Sequence, residues 1–316
     1  MSDASEVVVL GAGVCGLTTG ICLAEAGLRV TIRTDRLPLE TTSAASGAIW
    51  GPHLVEDSER VARWAQATLT TLLDLAGQRG TGVRMMSGVE AWREPAQPPA
   101  WSAMLPETGP AGRLPEGYVD GWRYTAPVVT MPVYLGYLLD RFTASGGRLR
   151  VAPAGSLAGV TAATVVNCTG VAARHLVPDA EVLPIRGQVV LVTNPGITEF
   201  FVGVGDDTRE VTYLFPHGDT VLLGGTEQRG DWNTEPDQAI AKRILADCVA
   251  AEPRLAGAAV VGHRVGLRPF RPLVRLEAER SANGRRLVHN YGHGGAGVTL
   301  AWGCARDVAA LVSSFM

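Results

Sequence analysis

Near its start the chain runs Val7-Val8-Val9-Leu10 directly into Gly11-Ala12-Gly13-Val14-Cys15-Gly16, and this junction restricts the fold more than any other stretch. The four apolar residues read as a strand buried on both faces. Residues 17–26 read as a helix that Gly27 ends, residues 29–32 as a second strand, and Asp35 lies just beyond it. The whole is a βαβ unit, whose crossover makes the two strands parallel. Gly11 permits the tight turn out of the strand, Gly13 lets backbone approach a pyrophosphate, and Gly16 lets the helix pack on the strand. The helix N-terminus then presents free N–H groups and a partial positive charge to phosphates. With Asp35 nineteen residues past Gly16, the unit points to a bound dinucleotide, leaving NAD, NADP and FAD open.

At 316 residues the chain is about two domains of roughly 150 residues each. Its 46% hydrophobic and 19% charged residues exclude a disordered chain and supply a sizeable core. A net charge of −3 argues against nucleic acid or an anionic membrane as the main partner. No window approaches the roughly 20 apolar residues of a membrane span, and the N-terminal residues lack the basic start of a signal peptide. Cys15, Cys22, Cys168, Cys248 and Cys304 are odd in number and scattered, which excludes a disulfide framework and a zinc site as the default and favours a reducing compartment. No metal is expected.

Further along, residues 58–75 carry Val61, Trp64, Ala65, Leu69, Leu72 and Leu73 at helical spacing behind Ser58, a candidate N-cap. Residues 94–117, rich in Pro and Gly, read as an irregular excursion. Residues 131–145 read as a helix closed by Gly146-Gly147, and 164–167 as a strand running into Cys168-Thr169-Gly170. Residues 188–192, 211–215 and 221–223 are β-rich, with a hairpin turn at His217-Gly218-Asp219, and 237–251 read as a helix. A strand at 287–290, a glycine-rich turn at 291–297 and a closing helix at 298–315 complete the chain. The order predicts a nucleotide-binding α/β domain assembled from separated segments and interrupted by a mainly β domain.

Three stretches narrow the nucleotide. Residues 41–50 (TTSAASGAIW) are small and hydroxyl-rich, suited to lie against a flat ring and its phosphate. VVNCTG at 165–170 is a strand ending in small residues, which allows close approach to an adenosine. HNYGHGGAGVT at 289–299 ends at another helix N-terminus, whose dipole stabilises negative charge on a reduced flavin. These, with TDRLP, RGQVV, YLFP, LLGGT, GDWN, VGLRPFRP and VRLE in this order along the whole chain, resemble the FAD-dependent D-amino acid oxidases and their close relatives the D-aspartate oxidases.

The resemblance implies a Rossmann-like FAD-binding domain built from discontinuous segments (1–53, 130–180 and 260–316) and a mainly β substrate-binding domain (54–129 and 181–259). It implies flavin contacts from Gly11, Gly13, Val14, Cys15 and Gly16 at the pyrophosphate, and from Asp35, Arg36, Cys168, Thr169 and Gly170 toward the adenosine. Thr42, Ser43, Gly47, Ala48 and Ile49 would line the ring and ribityl side, and Gly294, Gly297, Val298 and Thr299 the ring's oxygen-bearing edge. Cys15, in an apolar turn, is expected to be an inert small residue and not a nucleophile.

A lone arginine among 27 is ordinarily a solvated charge, but Arg268 matches the family arginine that pairs bidentately with the substrate carboxylate. Tyr213 matches the tyrosine whose hydroxyl reaches the same carboxylate, and Gly295 would offer its carbonyl to the amine. The implied reaction moves the Cα hydrogen as hydride to flavin N5, so the protein mainly holds the substrate. A D-amino acid and dioxygen would give a 2-oxo acid, ammonia and hydrogen peroxide. Glycine, D-aspartate or another specialised amino acid stays open as substrate, as does a non-catalytic flavin or nicotinamide protein.

Ile49 and His53 match pocket walls, and Glu227 stands where D-aspartate oxidases carry the arginine that receives the acidic side chain. Glu227 in the pocket would repel D-aspartate and favour neutral and basic D-amino acids; pointing to solvent, or paired with Arg209 or Arg229, it would not. The short segment between Phe200 and Tyr213, with Arg209 in place of the lid tyrosine of mammalian relatives, implies no long active-site lid and faster product release. The last residues are not a peroxisomal signal, which favours a bacterial cytoplasmic setting. Many relatives dimerise, which leaves a homodimer open, although no self-complementary patch is evident.

Overall fold

The structure is a computed structural model that describes residues 6–205, 211–280 and 284–314. The opening unit forms as its pattern requires. Strand β1 (Glu6–Leu10) leads into helix α1 (Val14–Glu25) and strand β2 (Arg29–Thr34), and β1 pairs parallel with β2 in the register Val7 to Val30. Helix α2 (Glu59–Ala76) starts at Ser58, whose hydroxyl accepts the Val61 N–H at 3.2 Å. Strands β3 (Val83–Trp92), β4 (Gly109–Pro110) and β5 (Asp120–Val129) follow, then helix α3 (Met131–Ala144) and strands β6 (Arg148–Val151) and β7 (Thr164–Asn167).

After the short helix α4 (Ala173–Leu176) come strands β8 (Leu183–Thr193), β9 (Phe200–Val204), β10 (Val211–His217), β11 (Thr220–Gly224) and β12 (Gln228–Arg229). Helix α5 (Gln238–Ala251) is capped by Asp237, whose carboxylate accepts the Ala239 and Ile240 N–H groups. Strands β13 (Val260–Arg280) and β14 (Arg286–His293) and helix α6 (Gly297–Ser313) end the described chain.

The strands join in the order β4-β5-β3-β9-β10-β11-β8-β13-β14-β7-β1-β2-β6, with β12 on β8. From β14 to β6 the pairs are parallel; toward β4 they are antiparallel except β3 with β9. The two regimes meet in β13, which pairs with β8 over Val260–Phe270 and with β14 from Phe270 to Arg280. A register irregularity between Phe270 and Arg275 lets one strand serve both.

Helices α1, α2, α3 and α6 cover the parallel end, burying Leu17, Ile21, Leu72, Phe142 and Leu300 in one core. Their polar atoms are answered inside it: Trp302 Nε1 donates to the Tyr134 hydroxyl at 2.8 Å, and Gly303 N–H to the Thr68 hydroxyl at 3.0 Å. A second core under α5 joins Ile244 and Cys248 to Val190, Val192, Leu214 and Leu223 of the antiparallel end.

Two expectations shift. Residues 291–293 are strand and not turn, because β14 continues through Tyr291 and His293, both buried. The closing helix begins at Gly297, and Phe315, placed in it from sequence, lies outside the described residues.

Candidate active site

A cavity of about 870 Å³ lies at the C-terminal ends of β1, β2 and β7, where open parallel sheets bind their ligands. Gly11, Gly13, Val14 and Cys15 leave β1 along its wall; Asp35 and Arg36 follow β2; Cys168, Thr169 and Gly170 follow β7. Thr42, Ser43, Gly47, Ala48 and Ile49 come in from the loop after β2, and Gly294, Gly295, Gly297 and Val298 from the start of α6.

Gly11 has φ +101°, and its α-carbon faces the Cys168 carbonyl, so the turn out of β1 needs glycine for both reasons. The N-cap residues are Gly13 for α1 and Ala296 for α6, neither of which supplies a side-chain cap. Ser43 Oγ accepts the Val14 N–H at 3.0 Å and leaves the rest of the first turn of α1 to a ligand. Two uncapped helix N-termini facing one cavity, in the upper part of the 300–1,000 Å³ range of ligand pockets, suit a large anionic group such as a dinucleotide.

Gly16 and Thr299 are also engaged from the protein side. Gly16 packs on the Gly11 carbonyl, closing the helix onto the strand. The Thr299 hydroxyl donates to Gly51 O at 2.9 Å and accepts from Gly51 N at 3.2 Å, fixing the loop that carries Ile49. Asp35 and Arg36 lie 3.4 Å apart and are exposed at the cavity's outer end.

Behind the glycine turns lies a buried polar chain. His293 Nε2 is 3.1 Å from Asn290 Oδ1, and Asn290 Nδ2 donates to the Thr19 hydroxyl at 3.1 Å. An amide oxygen only accepts, so the proton sits on Nε2 and Nδ1 faces Cys15 Sγ at 3.6 Å as an acceptor. Burial pushes His293 down to about 4, Cys168 up to about 12 and Cys15 up as well. These groups are neutral near pH 7, and Cys15 is therefore an inert thiol.

At the sheet end of the cavity the period-two alternation of strands converges side chains. Tyr213 pairs with Gly224, Gly224 with Val189, and Val189 with Arg264, so these residues share one face with Gly187 and Arg268, which lie an even number of residues along the same strands. Arg268 Nη1 donates to the Thr226 carbonyl at 2.8 Å, which fixes the guanidinium and leaves its other N–H groups to the cavity. Arg268 and Tyr213 both line the cavity here. Burial raises the Tyr213 phenol, and the charge of Arg268 opposes the shift.

The His53 ring rests on Gly295, and its Nε2 lies 2.7 Å from Glu227 Oε1. Arg229, weighed from sequence as the partner of Glu227, instead lies over the Phe270 ring at 4.9 Å, and Arg209 lies outside the described residues.

The walls also include residues that sequence reasoning did not single out: Pro153, Ala154 and Gly155 beyond β6, His175, and Val202 and Phe215 on the sheet face. Small residues after a strand were the available signal at 153–155, but β6 (RLRV) carries too little apolar character to be found first. His217 sits one shell back: its Nε2–H donates to Gly47 O at 2.7 Å and its Nδ1 accepts from Thr130 Oγ1 at 3.0 Å. Among the described residues no group of three His, Cys, Asp or Glu could hold a metal ion, and no helix is long and apolar enough to cross a membrane.

The family model described as FAD dependent oxidoreductase matches residues 6–311. The chain is 46% identical to a D-amino-acid oxidase of Rubrobacter xylanophilus over 98% of this chain and 96% of that protein. It is 35% identical to a human D-aspartate oxidase over 98% of this chain and 95% of that one. Among solved structures, a glycine oxidase from Bacillus cereus superposes with a TM-score of 0.80, covering 99% of this chain and 96% of its own, at 17% identity, a likeness of fold alone.

Proposed function

The chain belongs to the FAD-dependent oxidoreductase family, and from that premise we propose that it oxidatively deaminates D-amino acids. The observation that carries this reading is the meeting of Arg268 and Tyr213 on the cavity into which the uncapped N-termini of α1 and α6 open. Both neighbours named for oxidation of D-amino acids share nearly the full length of the chain.

When bound, FAD supplies the two-electron acceptor for the Cα hydrogen and passes the electrons to dioxygen. The residues named above would hold it: the first turn of α1 toward the pyrophosphate, residues 168–170 and 35–36 toward the adenosine, and the 42–49 loop and the start of α6 toward the ring. Arg268 takes the substrate carboxylate on its remaining N–H groups, and Tyr213 donates its hydroxyl proton to a carboxylate oxygen. The Gly295 carbonyl accepts from the amine. With carboxylate and amine both held, Cα can turn only one face toward the acceptor, so the Cα–H of one enantiomer alone would be presented to it, and the proposal assigns that face to the D-enantiomer. Among these anchors no general acid or base is needed, which agrees with a neutral Tyr213. The products are a 2-oxo acid and ammonia, after hydrolysis of the imino acid, and hydrogen peroxide.

The division into a cofactor part (1–53, 130–180 and 260–316) and a substrate part (54–129 and 181–259) belongs to this proposal, with two adjustments that packing supports. Helix α2 lies on α6 through Thr68 and through Trp64 Nε1 to Asp307 at 2.7 Å, and so joins the cofactor side. The first half of β13 pairs with β8 and joins the substrate side. A cytoplasmic setting agrees with five free cysteines.

The test is a visible spectrum of the purified protein with a peroxide-coupled assay over D- and L-amino acids and glycine. A yellow protein that turns over D-amino acids and not their L-enantiomers is expected. A colourless protein requiring NAD, or one selective for L-amino acids, overturns the reading.

A further inference from the structure

The loop after β2, whose residues 45–49 line the cavity, is gripped from the sheet at three carbonyls. Arg264 Nη1 donates to Ala44 O at 3.1 Å, His217 Nε2 to Gly47 O at 2.7 Å, and the Val129 N–H to Ala48 O at 2.8 Å. The Gly47 carbonyl and the Ala48 N–H are the two ends of one amide. Ala48 is 6% exposed and lines the cavity, and its N–H has no protein partner among the described residues. An amide whose carbonyl already accepts a hydrogen bond is polarised and becomes a stronger donor at its N–H. His217 therefore acts, through one peptide group, on what that N–H meets.

Two cations stand beside this bond. By strand alternation Arg84 and Arg264 share with His217 the sheet face that carries Tyr213. Neither guanidinium meets a carboxylate among the described residues, and Nε and Nη2 of Arg84 are buried with no partner. Burial, and then the charges of Arg84 and Arg264, push His217 down to about 4. Its ring is thus neutral near pH 7 and carries one N–H, the one given to Gly47. A cation taken from water without a counter-charge is costly, and negative charge gained in the adjoining cavity offsets that cost.

We infer that His217, backed by Arg84 and Arg264, is a positioning residue that makes the cavity bind reduced FAD more tightly than oxidised FAD, by polarising the Gly47–Ala48 amide. Hydride from Cα brings two electrons and one proton, so one negative charge is gained in the cavity. It leaves when the hydride equivalent and one further proton pass to dioxygen as hydrogen peroxide. The inference rests on FAD in this cavity and is independent of which amino acid is oxidised.

The midpoint potential of the bound flavin, from anaerobic dye-coupled titration of purified holoenzyme at pH 7, tests this without substrate. His217→Ala removes the donor to Gly47 O. It should weaken binding of reduced FAD about fivefold relative to oxidised FAD, which lowers the two-electron potential by about 20 mV. His217→Gln keeps an N–H for Gly47 O and should return most of that shift. Arg84→Gln leaves the Gly47 bond in place, removes one charge and should lower the potential in the same direction. A loop that had merely loosened would bind both redox forms worse by one factor, raising the Kd for FAD and leaving the potential where it was. An unmoved potential in His217→Ala or in Arg84→Gln, or a shift in His217→Gln as large as that in His217→Ala, overturns the inference. Should His217→Ala not retain FAD, Arg84→Gln decides by the same criterion. Failure to turn over any D-amino acid would overturn the proposed function and leave this measurement standing.

Discussion

Gly187 lies directly beneath the guanidinium of Arg268: a Cβ on Gly187 would fall 2.5 Å from Nη1 and 2.6 Å from Cζ. The obstructed atoms are the far end of a flexible side chain and not backbone. Gly187→Ala should therefore move Arg268 without unfolding the protein, a separation of activity from stability that few core glycines offer. With the anchor displaced by the order of an ångström, kcat/KM should fall about 10- to 100-fold, while FAD content and Tm stay near the wild type. Steady-state kinetics beside a thermal melt and a flavin spectrum check this. Full activity would mean that the guanidinium does not work from this position.

Removing the anchor outright gives a larger effect. Arg268→Ala would delete the proposed charge-assisted bidentate contact and should lower kcat/KM by about two to four orders of magnitude. Arg268→Lys should recover only part of it, because an ammonium cannot present two parallel N–H groups. Activity of Arg268→Ala within a few fold of wild type would remove Arg268 from the substrate-binding role.

The glycine turn is tested at Gly13, where a Cβ would meet Ser43 Oγ at 3.0 Å. Gly13→Val adds a branched side chain where backbone is proposed to approach the phosphates, and should disturb the Ser43 bond to Val14. The purified protein should lack most of its flavin absorbance. A yellow variant with stoichiometric FAD would show that this turn does not carry the pyrophosphate.

The βαβ unit and the wall residues around it were legible because their constraint is local: a turn, a close approach and a helix end each demand particular residues within a few positions. Gly16 and Thr299 belong to the same motifs and also meet the protein's own backbone at Gly11 and Gly51, contacts that no local pattern announces. The strands β3, β5, β9 and β13 escaped sequence reading for another reason. β13 mixes Arg264, Arg268, Arg271 and Arg275 with Pro269 and Pro272, because half of it serves one sheet regime and half the other. The partner of Glu227 is separated from it by 174 residues, and no local pattern couples His53 to that position.

Two histidines, His293 buried and His217 half-buried, shape the acid side of stability. Burial lowers both His217 and His293 to about 4, below their ordinary value of about 6.5. Folded imidazoles thus stay neutral where unfolded ones are protonated, so stability present above about pH 6.5 is lost as pH falls toward 4. Each contributes up to about 3 kcal/mol to that loss. Urea midpoints measured across this window should fall for the wild type and less steeply for His217→Gln. Parallel curves would mean that His217 does not titrate with folding.

Glu90 acts with the opposite sign. It sits on β3 in register with Val202 of β9, on the face that carries Tyr213, and its Oε2 accepts from the Tyr124 hydroxyl at 2.9 Å. No ion pair answers it among the described residues. Burial raises its carboxyl to about 7, and the Tyr124 bond only partly offsets this. The folded state therefore keeps a proton that the unfolded state has released above its ordinary value of about 4.3. Stability is full below that value and is lost as pH rises through 7, by on the order of 2–3 kcal/mol. Glu90→Gln retains an acceptor for Tyr124 and removes the titration. It should match the wild type in Tm near pH 4.5 and exceed it at pH 8, with the gap opening between the two. A gap that is constant with pH, or one that closes on the alkaline side, would place Glu90 ionised in the folded protein and remove this account of its burial.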